Sequence, residues 1–201
     1  MSGHNALVLA AGGSLRLGRA KQLLRRDGET LVHRAVRMAL STQPRRLLVV
    51  LGGHAEAVRD ALIDLPAQVV VNPRWQDGMA GSLQCALGLI DETDADAPTL
   101  ILGCDQPALD AWHLRSLLDG AAAAASGCAA TVHGDALGIP AVVSASLRRQ
   151  AAQLRGDRGL GGPLTRLPAG TVWRLDAPEL ALDIDVEADV NEAVERGWLD
   201  R

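Results

Sequence analysis

The apolar run Leu7-Val8-Leu9-Ala10-Ala11 empties directly into Gly12-Gly13-Ser14-Leu15-Arg16-Leu17-Gly18-Arg19-Ala20-Lys21. A short unbroken apolar run has the character of a strand buried on both faces, and such strands belong to parallel sheets covered by helices. The loop that follows joins glycines and a serine to the cations Arg16 and Lys21. Glycines let backbone N–H groups approach an anion without a Cβ in the way, while the two cations supply charge. The loop therefore reads as a phosphate cradle at the carboxyl end of a strand, although an ordinary strand-to-helix turn uses glycines in the same manner.

Two familiar phosphate motifs fail here. Gly13-x-x-x-x-Gly18 has Walker spacing but continues Arg19-Ala20 where Lys-Ser or Lys-Thr is required. Gly12 is followed by Gly13 and Ser14, which breaks Gly-x-Gly-x-x-Gly.

Short apolar runs alternate with amphipathic stretches through the chain. Strands are predicted over Ala6–Ala10, Leu47–Leu51, Gln68–Val71, Thr99–Leu102, Ala129–Val132, Ala141–Val143 and Val172–Leu175. Helices are predicted over Thr30–Leu40, Ala55–Leu62, Gly81–Ile90, Ala111–Ser126, Ala145–Leu154 and Glu187–Trp198. That order implies an α/β fold: a single domain over residues 1–201, with a doubly wound, Rossmann-like, mostly parallel sheet and helices on both faces. Around Gly127–Val143 two short strands joined by Gly134-Asp135 suggest a hairpin or a mixed-sheet excursion that could form one side of a cleft.

A formal charge of −4 argues against a broad nucleic-acid surface, so basic residues meant for an anionic substrate must be gathered locally. Arg16, Lys21, Arg155 and Arg158 are the candidates. The three cysteines are widely spaced and include no Cys-x-x-Cys, which gives neither a disulfide framework nor a zinc site. No apolar run approaches the roughly 20 residues of a membrane span, and the polar opening Met1–Asn5 has no leader pattern; a cytoplasmic protein is expected. With no Phe or Tyr, the core must be aliphatic, and only four tryptophans can stack on a base.

Three further segments bear chemistry. Asp105, in Gly103-Cys104-Asp105-Gln106-Pro107, sits just past a predicted strand, where a carboxylate can ligate a hard cation or simply cap the next turn. Asp183 and Asp185 alternate in Asp183-Ile184-Asp185, which places them on one side of an extended segment. Trp75-Gln76-Asp77-Gly78-Met79-Ala80-Gly81-Ser82 opens a helix whose N-terminal amides favour an anion or a base carbonyl.

Leu9-Ala10-Ala11-Gly12-x-Ser14-x-Arg16-x-Gly18-x-x-Lys21 resembles the N-terminal signature of the MobA-like NTP transferases, most of all their molybdenum cofactor cytidylyltransferase branch. Cys104-Asp105-Gln106-Pro107 and Asp183-Ile184-Asp185 extend the likeness from Leu7 to Asp189. The resemblance implies a nucleotidyltransferase fold and transfer of CMP from CTP to the phosphate of molybdenum-loaded molybdopterin. It implies catalytic roles for Arg16, Lys21 and Asp105, and Mg²⁺ held by Asp105 and Asp185. Nucleotide contacts would come from Ala10, Ala11, Gly12, Gly13, Ser14, Arg16, Lys21, Gly78 and Ser82. Acceptor contacts would come from Gly138, Pro140, Arg155, Asp157 and Arg158, and a molybdenum hydroxylase would be the client. Ala11 stands where guanylyltransferases of the family carry glycine, which favours a pyrimidine. Ala80, Gly81 and Ile139 depart from the family pattern. A transferase acting on a sugar or alcohol phosphate would use the same phosphate and metal residues, and a non-catalytic cofactor carrier would keep the pocket alone.

Overall fold

The computed structural model describes residues 3–201; Met1 and Ser2, which begin the polar opening segment, lie outside the described residues. In chain order the strands are β1 (Asn5–Ala10), β2 (Arg25–Arg26), β3 (Glu29–Thr30), β4 (Leu47–Leu51), β5 (Gln68–Val71), β6 (Thr99–Gly103), β7 (Ala129–His133), β8 (Ala136–Val143) and β9 (Trp173–Leu175). The helices are α1 (Leu31–Leu40), α2 (Ala55–Asp60), α3 (Met79–Thr93), α4 (Ala111–Ala123), α5 (Ala145–Ala151), α6 (Gly161–Thr165) and α7 (Glu187–Glu195).

Seven strands form one sheet in the order β5-β4-β1-β6-β8-β7-β9. β5, β4, β1 and β6 pair in parallel, as expected of apolar strands without polar alternation. β8 runs antiparallel to both β6 and β7, and β7 pairs in parallel with β9, so β8 alone reverses direction in this sheet. The predicted hairpin is therefore present. Its second strand begins at Ala136 rather than Ala141, because the register shifts between Ala130 and Thr131 and lets pairing resume beyond the irregularity.

Period-2 alternation divides the aliphatic core between the two faces of the sheet. Ala6, Val8 and Ala10 of β1 pack with Val32 and Val36 of α1 and with Leu114 and Leu117 of α4. Leu7, together with Leu48, Val50 and Ile101, packs against Leu83, Leu87 and Ile90 of α3 and Leu147 of α5. A satellite cluster of Leu31, Ile184, Val190, Ala193 and Leu199 fastens α7 beside the start of α1.

Several predicted helices end early. α4 stops at Ala123 rather than Ser126, since Ala124 is already extended and Gly127 follows at φ 66°. α7 ends at Glu195 ahead of Gly197 at φ 71°, a left-handed residue that closes a helix without a Cβ penalty. In the other direction α3 is longer than predicted, beginning at Met79 and continuing to Thr93. The ribbon β2–β3 and helix α6 carry too few residues to leave a periodic signal.

Candidate active site

Parallel strands bring their carboxyl ends to one edge, and there the loop after β1, the loop after β6 and the segment before α7 meet. The loop after β1 is held from within. Gln22, 1% exposed, donates from Nε2 to the carbonyls of Ala10 (3.1 Å) and Gly12 (2.6 Å). Ser14, at φ 51°, accepts the backbone N–H of Lys21 on its hydroxyl at 3.1 Å. Trp75 closes the loop from outside, its indole lying where any Cβ on Gly13 would fall, which explains glycine at that position. Sequence reading gave Gln22 no role, since one glutamine after a lysine has no distinguishing pattern.

Asp105 lies two residues beyond β6. Its carbonyl accepts the N–H of Ile184 at 2.9 Å, which pins the Asp183–Asp185 segment alongside. Asp189 fixes the other end by accepting the N–H groups of Asp185 and Val186, both at 2.8 Å. The carboxylates of Asp105 and Asp185 thus face each other across Lys21, whose Nζ stands 2.8 Å from Asp105 Oδ2 and 2.9 Å from Asp185 Oδ1. Arg16 reaches the second oxygen of Asp185 at 2.6 Å.

These contacts set the local electrostatics. Burial disfavours the Lys21 ammonium, but Asp105 and Asp185 outweigh it and raise its pKa above the ordinary lysine value. Burial also works against ionised Asp185, yet Lys21 and Arg16 hold its carboxyl below the usual range. At Asp183 the balance is reversed: burial, reinforced by the negative charge of Asp105, outweighs the opposing effects of Lys21 and a Gln106 hydrogen bond and pushes it up to about 7.

Two cavities share this edge. The first, of about 570 Å³, is lined by Ala10, Ala11, Gly12, Gly13, Ser14, Arg16 and Lys21, by Gly78 and Ser82, and by Asp105 and Asp185. Every nucleotide and metal residue named from sequence is therefore in one place. Trp75, Gln76, Met79, Cys104 and Ile139 also line it, and of the four tryptophans Trp75 is the one that does. The Ser82 hydroxyl is 3.1 Å from Asn72 Nδ2 and accepts from it, and Ala80 N–H donates to Gly156 at 3.0 Å, so part of the α3 N-terminus is engaged within the protein.

The second cavity, of about 440 Å³, abuts the first through Met79, Asp105, Ile139 and Asp157. Gly138, His133, Gln106 and Asp183 also line it. Gln106 ties its walls together, donating to Leu180 O at 3.0 Å and Ile139 O at 3.4 Å. Pro140, Arg155 and Arg158 line neither cavity. The Pro140 carbonyl is bound by Thr131 Oγ1 at 2.8 Å, Arg155 turns back onto Leu154 O at 2.8 Å, and Arg158 is exposed. Of the four cations expected to gather, only Arg16 and Lys21 do so.

Among the described residues no three His, Cys, Asp or Glu side chains converge as a metal set. The donors on hand fit a hard cation that takes one or two carboxylates and completes its shell with phosphate oxygens and water. Asp105 and Asp185 meet that requirement, because both already share a cation, Lys21.

Residues 6–171 match the family described as MobA-like NTP transferase domain. The chain belongs to that family. Over 117 residues it is 37% identical to the bifunctional protein GlmU of Paraburkholderia xenovorans, a match covering 57% of this chain and 25% of that protein; the chain thus spans about a quarter of that curated relative. Rv0371c of Mycobacterium tuberculosis, whose crystal structure is 28% identical, superposes at TM-score 0.76 over 96% of this chain and 99% of that one. Molybdopterin-guanine dinucleotide biosynthesis protein A of Archaeoglobus fulgidus, at 17% identity, shares the fold at TM-score 0.70 over 96% of this chain and 97% of its own.

Proposed function

We propose that this protein is a nucleotidyltransferase that moves CMP from CTP to the phosphate of molybdenum-loaded molybdopterin, with release of pyrophosphate. One observation carries the reading: Arg16 and Lys21 face Asp105 and Asp185 in a single cleft that opens into a second cavity at Asp105. An acceptor phosphate is already an anion near neutral pH, so its oxygen attacks the α-phosphorus without a dedicated general base. The new P–O bond forms as the bond between the α-phosphorus and its bridging oxygen breaks, and pyrophosphate departs with that electron pair.

The work of the chain is positioning and charge. The amides of Gly12–Ser14, with Arg16 and Lys21, hold the β- and γ-phosphates and neutralise the leaving pyrophosphate. Ala11, on the cleft wall, narrows the base site toward a pyrimidine. Asp105 and Asp185 would hold a divalent cation, with Mg²⁺ as the proposed ion, which would supply further charge neutralisation to the reacting phosphates. The second cavity takes the acceptor.

The test is pyrophosphate release with Mg²⁺ and freshly prepared molybdenum-loaded molybdopterin, offering CTP, GTP, UTP and ATP separately. Turnover with CTP and not with the purine nucleotides is expected. Turnover with a sugar or alcohol phosphate in place of the pterin would replace the acceptor assignment, and silence with every pair would remove the enzymatic reading.

A further inference from the structure

Three of the four oxygens on the Asp105 and Asp185 carboxylates are engaged by cationic side chains. Lys21 Nζ takes one from each at 2.8 and 2.9 Å, and Arg16 takes the remaining oxygen of Asp185 at 2.6 Å. An ammonium bound between two carboxylates competes with any cation that they would share, since both need the same oxygens and like charges repel at such distances. Lys21 is anchored at its backbone by Ser14, 3.1 Å away, while its stem lies beside the loop after β1, Cε being 4.0 Å from the point where Gly12 would carry a Cβ. The ammonium can therefore pass from the carboxylates to an anion on the loop by rotation of its own side chain, with the backbone fixed.

We infer that Lys21 is a place-holding cation that closes the metal site, and that a triphosphate on the loop draws it away and so completes that site. Metal and triphosphate then bind cooperatively through one side chain, and a free divalent cation does not occupy the carboxylates ahead of the triphosphate. Arg16 acts in the same sense on Asp185, but at 69% side-chain exposure its grip is weaker than that of Lys21 at 13%. The inference rests on the reading of Asp105 and Asp185 as metal ligands and is independent of which acceptor or base the enzyme prefers.

One substitution then has opposite effects on two ligands. Mn²⁺ titrated into nucleotide-free protein, with free ion followed by electron paramagnetic resonance, should bind Lys21→Met at least tenfold more tightly than wild type. Inorganic triphosphate, titrated calorimetrically in EDTA, should bind the same variant at least tenfold more weakly. Adding Asp185→Asn should cancel the Mn²⁺ gain, and Lys21→Arg, which keeps the charge, should bind Mn²⁺ as weakly as wild type. Equal or weaker Mn²⁺ binding by Lys21→Met, a gain that survives Asp185→Asn, or changes of one sign for both ligands would each overturn the inference. Far-UV circular dichroism of each variant verifies the fold, and the Lys21→Arg result decides the matter if Lys21→Met is perturbed. Neither titration involves turnover, so failure of the proposed reaction leaves these outcomes readable by themselves.

Discussion

The two cavities on the sheet edge are built differently. The first lies over the parallel half, where β1 and β6 deliver a glycine-rich loop and a carboxylate from adjacent strands. The second lies over the reversed strand β8 and its hairpin partner β7, and among the described residues no lysine or arginine lines it. Cationic side chains are concentrated in the first cavity, while the second offers carboxylates, amides and aliphatic walls. The loop after β1 is braced by Gln22, Ser14 and Trp75, whereas residues 155–158 are exposed and are held to the start of α3 by the Gly156 carbonyl and by the packing of Gly156 and Asp157 on Gly78.

The largest expected effect lies where the two cavities join. Asp105→Ala should reduce pyrophosphate release by about a thousandfold, through loss of both its charge and its part in the metal site. Steady-state rates with CTP and molybdopterin measure it, and a loss below tenfold would remove Asp105 from the chemistry.

Next comes the brace on the nucleotide side. Gly13→Ala drives a methyl into the Trp75 indole, so the loop must shift. A stability loss of about 1–3 kcal/mol, together with a KM for CTP raised about tenfold and little change for the acceptor, is expected. Equal rises in both KM values would show that the two cavities are not separable.

On the acceptor side, Asp183 provides a pH test. Its folded pKa of about 7 lies above the unfolded value of 3.8, so between these values the folded state binds more protons than the unfolded one. Stability therefore falls as pH rises through that window and levels off above about 7. Asp183→Asn should gain thermal stability relative to wild type by a margin near zero at pH 3.8 and largest above pH 7, as melting curves across that range would record. A margin that is flat with pH would contradict the cause assigned here.

The smallest effect is expected at Arg155. Its guanidinium faces Leu154 O and lines neither cavity, so Arg155→Ala should change the acceptor KM by less than about twofold. A tenfold rise would instead restore the role that the family resemblance implies and erase the difference in charge between the cavities.

What the sequence determined by itself is local in origin. The unbroken aliphatic runs pointed to a covered parallel sheet, and the glycine-rich loop after β1, with its serine and two cations, offered the character of an anion site. Asp105 stood out as the residue just past a predicted strand and Asp183 and Asp185 as an alternating pair, while the choice of Asp105 and Asp185 as a metal pair came from the family resemblance. Tertiary structure decided the rest, because contacts between residues distant along the chain leave no period to read. The placement of Lys21 between carboxylates 84 and 164 positions away, the seating of Trp75 on Gly13, the reversal of β8 and the turning of Arg155 away from the cleft all depend on which strands became neighbours. A side chain's type is written in the sequence, but the charge it meets is set by the packing that brings another residue within about 3 Å of it.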